Sequence, residues 1–120
     1  MTATEYQTQA YKALSKSTAE NISYLVFGLK AEAAELANKL ETAVRLGEIE
    51  ININNEVIFT RVNSSRFTDN LVDELGDILW SVAMVAGRLG FSLEEVMRRN
   101  LDKLADRQAR GVIIGDGDKR

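Results

Sequence analysis

Apolar residues recur along this 120-residue chain with two periods, one helical and one of two. Thr4 and Gln7 stand at the spacing of a capping box, and Tyr6, Ala10, Ala13 and Leu14 follow at i, i+4, i+7 and i+8, which predicts a first helix over about residues 4–16. Residues 15–21 are polar and turn-like. Leu29, Ala33, Leu36, Ala37, Leu40 and Val44 then form a narrow stripe at helical period, predicting a second helix over about 22–46 that stops at Gly47. Beyond it the period drops to two. Ile49, Ile51 and Ile53 alternate with polar residues, Asn54-Asn55 suits the positive dihedrals of a tight turn, and Val57, Ile58 and Phe59 follow. A short β-hairpin over about 48–62 is expected.

Asp69 or Asn70 is placed to cap a third helix, whose stripe is Leu71, Leu75, Ile78, Val82, Val85 and Leu89 and whose stop is Gly90. Ser92 with Glu95 opens a fourth, carrying Leu93, Val96, Met97, Leu101 and Leu104 and ending at Gly111. Residues 112–120 read as an extended, glycine-rich loop. The expected fold class is all-α: one four-helix, bundle-like domain over residues 1–120, with the hairpin inserted between the second and third helices.

Composition narrows the chemistry. With 45% hydrophobic and 28% charged residues the chain has the make-up of a folded protein. It has no cysteine, which excludes disulfides, thiolate metal sites and a cysteine nucleophile. It has no histidine either, so a Ser-His-Asp triad, a histidine base and histidine-ligated zinc are excluded, leaving carboxylates, Lys, Arg, Tyr or water on a hard metal ion. The absence of proline leaves long helices uninterrupted. Residues 1–11 lack the pattern of a signal peptide, and the longest apolar runs, 24–27 and 82–86, fall far short of the ~20 residues that span a bilayer. A cytoplasmic protein without membrane contact is expected. The net charge of −3 is unevenly spread: residues 98–120 hold seven basic and four acidic side chains, so this quarter carries +3 and the first 97 residues carry −6. An acidic body beside a basic C-terminal quarter suits a metal site near an anion site, and no direct nucleic-acid binding is expected.

Two acidic pairs stand out. Glu32-x-x-Glu35 on the second helix and Glu74-x-x-Asp77 on the third each project from nearly one line, and two facing helices can bring four carboxylates to one hard divalent cation. For the second helix alone the competing explanation is a solvated face with ion pairs such as Glu35 to Lys39. The third helix is harder to explain that way, because Glu74 and Asp77 lie between the Leu71 stripe and a second apolar surface of Trp80 and Met84, with Gly76, Ala83 and Gly87 as small residues for close approach. One chain of this size is not expected to cover both surfaces, so the Trp80–Met84 side is expected to be buried by a second copy. On the fourth helix, Asn100, Lys103 and Arg107 form a polar line at the edge of the apolar stripe, suited either to phosphate and sugar contacts or to pairing with the acidic body.

The ordered set Gly28-Leu29, Glu32-x-x-Glu35-Leu36, Glu74-Leu75-Gly76-Asp77-Ile78-Leu79-Trp80, Asn100-x-x-Lys103-Leu104-x-x-Arg107 and Gly115-Asp-Gly-Asp-Lys-Arg120 resembles the MazG-type nucleotide pyrophosphohydrolases of the all-α NTP pyrophosphatase superfamily. The resemblance covers about residues 6–120. It implies Mg²⁺-dependent hydrolysis of a nucleoside triphosphate (NTP or dNTP) to the monophosphate and pyrophosphate, with Mn²⁺ as a substitute ion. By that match Glu32, Glu35, Glu74 and Asp77 are metal ligands, Glu32 and Glu35 also being catalytic, and Asn100, Lys103, Arg107 and Trp80 contact the substrate. It also implies a homo-oligomer, either a dimer or a dimer of dimers. Ala31 and Ala34 stand where many members carry glycine or a further acid, and the hairpin makes the spacing between the acidic motifs longer than usual. A non-catalytic helical interaction module that docks through the hairpin edge is the alternative of a different class. A di-iron carboxylate bundle is disfavoured, because its Glu-x-x-His motifs need histidine.

Overall fold

In chain order the elements are α1 (Ala3–Lys12), α2 (Ile22–Arg45), β1 (Ile49–Ile51), β2 (Val57–Phe59), α3 (Ser64–Arg88) and α4 (Leu93–Ala109). The computed structural model describes residues 1–15, 20–59 and 64–114. The expectations for residues 16–19, for 60–63 at the end of the hairpin and for the Gly-Asp tail at 115–120 lie outside them. The fold is all-α and bundle-like, and β1 and β2 form the inserted hairpin, antiparallel with Ile49 opposite Phe59 and Ile51 opposite Val57. Its turn is built by Asn52, whose side chain accepts from the Asn54 and Glu56 amides, and by Asn55, which takes φ +61°.

Local chemistry sets the helix ends. α2 starts at Asn21, whose side chain accepts from the Tyr24 amide, and α4 starts at Ser92, which accepts from Glu95. α2 and α3 end on Gly47 and Gly90, at φ +67° and +83°, where only glycine avoids the left-handed penalty. Two starts differ from expectation. The capping box of α1 is Thr2 with Glu5, each side chain bonded to the other's backbone amide, and not Thr4 with Gln7. Gln7 is engaged elsewhere: its amide donates to the Ala83 and Phe91 carbonyls at 2.9 and 3.3 Å and accepts from the Leu93 amide at 2.9 Å, tying α1 to the turn between α3 and α4. α3 begins at Ser64, ahead of Asp69 and Asn70, which are exposed within the helix. Phe67, half-buried one turn before Leu71, extends the packed face, and that burial outweighs the capping preference of the polar pair.

The core corrects the expected roles of the faces of α3. Ala83 and Met84 are fully buried within the single chain, clustered with Leu25 of α2 and Leu93 of α4 and surrounded by Tyr6, Ala10, Tyr11 and Trp80. The Trp80–Met84 surface is therefore covered by α1 and not by a second copy. The physical reason is the small residue at Gly87, where an added Cβ would come within 2.6 Å of the Tyr11 ring, so that α1 seats closely. Burying a side chain like Met84 contributes about 1.5–3 kcal/mol. The uncovered flank of α3 is instead Val72, Leu75 and Leu79, with Leu89 further along. No helix among the described residues is long and apolar enough to cross a membrane.

Candidate metal centre

α2 meets α3 more extensively than any other pair of helices meets. Stepping 100° per residue from Leu25, the residues Leu29, Glu32, Leu36, Lys39 and Ala43 all fall within about 40° of one line. Leu25 and Ala43 are buried and the four between them are half-buried. The packed face of α2 is thus rotated from the predicted stripe, toward Glu32 and Lys39; Ala33, Ala37 and Val44 are exposed. Two charged residues occupy positions where the interface would otherwise be apolar.

Across from them, Glu74 and Asp77 lie one turn apart on α3. Glu74 is 6% exposed, while Asp77 is on the surface. Glu32, Glu74 and Asp77 each bring one carboxylate oxygen to within 4.8 Å of the others. Like charges at that separation repel by about 3 kcal/mol per pair at the effective dielectric of a protein, less where water screens them. The strain registers on Glu32, whose pKa is raised, first by partial burial and then by the charges of Glu35, Asp77 and Glu74. Lys39 contacts Glu74 Oε1 as an ion pair between the helices, not the pair with Glu35 that its i,i+4 spacing offers. Glu74 Oε2 is buried and accepts no hydrogen bond among the described residues. Orphaned carboxylate oxygens are costly, and the Glu74 carboxylate is grouped with two others.

This donor set fits a hard divalent cation. All three groups offer oxygen, the chain has no nitrogen or sulfur ligand from histidine or cysteine, and bonds of about 2.1–2.6 Å place opposite oxygens about 4.2–5.2 Å apart. Glu35, one turn on from Glu32 but about 80° off the packed line, is exposed and is not brought into the trio; it acts on the site through its charge on Glu32 and Lys39.

The fourth-helix residues are divided. Asn100 and Lys103 are exposed, whereas Arg107 is 4% exposed, inside the fold near the end of α4. Of the expected apolar stripe of α4, Leu93 is buried and Val96 half-buried, while Met97, Leu101 and Leu104 are at the surface. Trp80, one turn beyond Asp77, is half-buried and donates its indole N–H to the Ala10 carbonyl at 3.4 Å. Two neighbours of the site lie outside the expected site residues, and Lys39 figures among the expectations only as an ion-pair partner for Glu35. Lys39 was visible as a charge at the same helical angle as Glu32. Tyr6 of α1 sits near enough to Asp77 that this carboxylate, after burial, raises its pKa; nothing in its spacing marked it as more than a core residue.

Residues 20–112 match the MazG nucleotide pyrophosphohydrolase domain. The chain belongs to that family. It is 41% identical over 101 residues to the Gene 37 protein of Mycobacterium phage L5, covering 84% of this chain and 78% of that protein. It is also 35% identical over 79 residues to the uncharacterized protein YvdC of Bacillus subtilis (strain 168), covering 66% of this chain and 68% of the relative. No solved structure matches the chain. The α2–α3 acidic trio lies inside the matched segment, and MazG-like enzymes generally use a divalent metal.

Proposed function

We propose that this chain, acting as one domain over residues 1–120, hydrolyses nucleoside triphosphates to the monophosphate and pyrophosphate with Mg²⁺, Mn²⁺ serving as a substitute. The observation that carries the reading is the buried Glu74, grouped with Glu32 and Asp77 and with one of its oxygens orphaned, in a chain of the MazG family. Glu32, Glu74 and Asp77 would hold the cation, with Glu35 at the outer edge. A bound Mg²⁺ there supplies an acidified water and offsets the charge of the triphosphate. Glu32 or Glu35, the carboxylates α2 brings to the site, would take a proton from attacking water. Lys103 and Asn100, exposed on α4, meet the phosphates and sugar from solvent. Arg107 supports that line from within, and Trp80, packed against α1 and half-buried, would meet the substrate only with the part of its side chain left exposed one turn from Asp77.

A homo-oligomer is part of the proposal. The accessible surface is 8843 Å² against about 6,500 Å² for a compact monomer of this mass, and the radius of gyration is 17.4 Å against about 13.6 Å. Phe27 is 70% exposed, and Leu75, Leu79, Met97 and Leu101 are also at the surface. A two-fold partner on these faces is the economical cover. Light scattering coupled to size exclusion should give at least twice the chain mass; an active species at 13.3 kDa contradicts it. A cytoplasmic location accompanies this reading.

The activity is tested by incubating the protein with a panel of ribo- and deoxyribonucleoside triphosphates and Mg²⁺. The expected products are the monophosphate and pyrophosphate, lost on chelation. Hydrolysis to the diphosphate and orthophosphate, or none with any substrate, would overturn the reading, and the latter would favour the interaction module, whose hairpin carries the almost fully exposed Ile53.

A further inference from the structure

Lys39 stands on the packed face of α2, two turns beyond Glu32, with its ammonium on Glu74 Oε1. Helix periodicity delivers it there: a residue seven positions on returns to nearly the same angle, so a lysine at this position must project into the α2–α3 seam beside the acids. The seam holds Glu32, Glu74 and Asp77 together, and Glu35 and Asp73 also act on the ammonium by charge. The Glu74 side chain is 8% exposed, and Lys39 is its ion-pair partner across the seam. What Lys39 adds is one positive charge in direct contact with a carboxylate whose other oxygen has no hydrogen-bond partner.

We propose that Lys39 is the tethered counter-ion of the carboxylate cluster: it offsets the repulsion among Glu32, Glu74 and Asp77 while no cation is bound, and it weakens the cation's hold once one binds. The proposal rests on the reading of the trio as a cation centre. Its two consequences have opposite signs. Removing the ammonium leaves the metal-free cluster less balanced, which destabilises the metal-free fold. The same change takes a positive charge away from the neighbourhood of the divalent ion, which tightens binding. A salt bridge that merely braces the two helices would not tighten anything when lost.

The test uses the whole chain, stripped of metal with EDTA, dialysed, and titrated calorimetrically with MnCl₂ at fixed ionic strength. Lys39→Met is expected to bind Mn²⁺ about tenfold more tightly than the wild type, because a full charge close to a divalent ion is removed. Its melting temperature in EDTA should fall, and saturating Mn²⁺ should raise it by more than in the wild type. Lys39→Arg, which keeps the charge, should bind as the wild type does. Lys39→Gln, with a polar end that water can solvate, carries the same expectation as Lys39→Met and decides the matter if the methionine variant does not fold. Glu74→Gln is the control for the site. If the wild type binds Mn²⁺ saturably, Glu74→Gln abolishes binding, and the neutral Lys39 variants bind no more tightly than the wild type, the counter-ion role is overturned while the cation centre stands. If the wild type shows no saturable binding, the cation centre falls and the role of Lys39 falls with it.

Discussion

Over residues 81–86, α3 is enclosed: Ser81, Ala83, Met84 and Ala86 are buried on different sides of the helix, beneath α1 and against α2 and α4. Two turns earlier, over 72–79, Val72, Leu75, Asp77 and Leu79 are exposed and the buried residue is a glutamate. One half of the helix gains stability from apolar burial. The other gives some of it up, since a buried carboxylate is tolerated only with a counter-charge or a cation beside it. The enclosed half anchors the helix, and the acidic half projects from that anchor into the α2 seam. Stability and chemistry are thus separable along a single element.

Substitutions in the two halves should accordingly give opposite profiles. Asp77→Ala or Glu74→Gln should lower Mg²⁺-dependent turnover by about two orders of magnitude or more, while the metal-free melting temperature holds or rises as repulsion is relieved. Met84→Ala should cost about 2–5 kcal/mol of stability while the folded fraction keeps its specific activity at low temperature. Paired thermal melts and initial rates check both, and a Glu74→Gln variant with a clearly lowered melting temperature and wild-type turnover below it would collapse the distinction.

A smaller effect is expected at Gly87. An alanine there meets the Tyr11 ring at 2.6 Å, so the ring or the helix that carries it must shift, at about 1–3 kcal/mol. Gly87→Ala should lower the denaturation midpoint, and adding Tyr11→Leu should restore part of it.

The smallest effect concerns pH. Glu95 in the first turn of α4 accepts from Arg99 and Arg98, and these contacts hold its pKa below the ordinary glutamate value. A folded-state pKa below the unfolded one contributes stability that is present above the unfolded value of about 4.3 and is lost as pH falls through the folded value. Glu95→Gln should therefore lower the melting temperature slightly at neutral pH and converge with the wild type as pH falls below about 4.3, which flattens its acid limb. An unchanged acid limb would mean that the exposed pairs contribute nothing measurable.

Much of the fold was legible because its signals are local. The Ser92 and Asn21 caps, the glycines at 47 and 90 and the asparagines of the hairpin turn act through bonds within a few residues of themselves. The acidic spacing on α2 and α3 was equally plain, and three of its four members converge. Long-range choices were not legible. Gln7 spends its amide on carbonyls more than seventy residues away, which no local pattern encodes. Tyr11 and Gly87 decide which face of α3 the chain itself covers, so the choice between two apolar surfaces was settled by a contact between distant residues. Lys39 had two acidic partners open to it, and the helix angle it shares with Glu32, not its distance along the chain to Glu35, selected Glu74.

The central claim is that Glu32, Glu74 and Asp77 form a divalent-cation centre between α2 and α3. Anomalous diffraction from crystals soaked in MnCl₂ tests it most directly. A manganese peak bounded by these three carboxylates and absent from Glu74→Gln crystals is expected; saturating Mn²⁺ with no peak there, or a peak only elsewhere on the chain, would contradict the assignment.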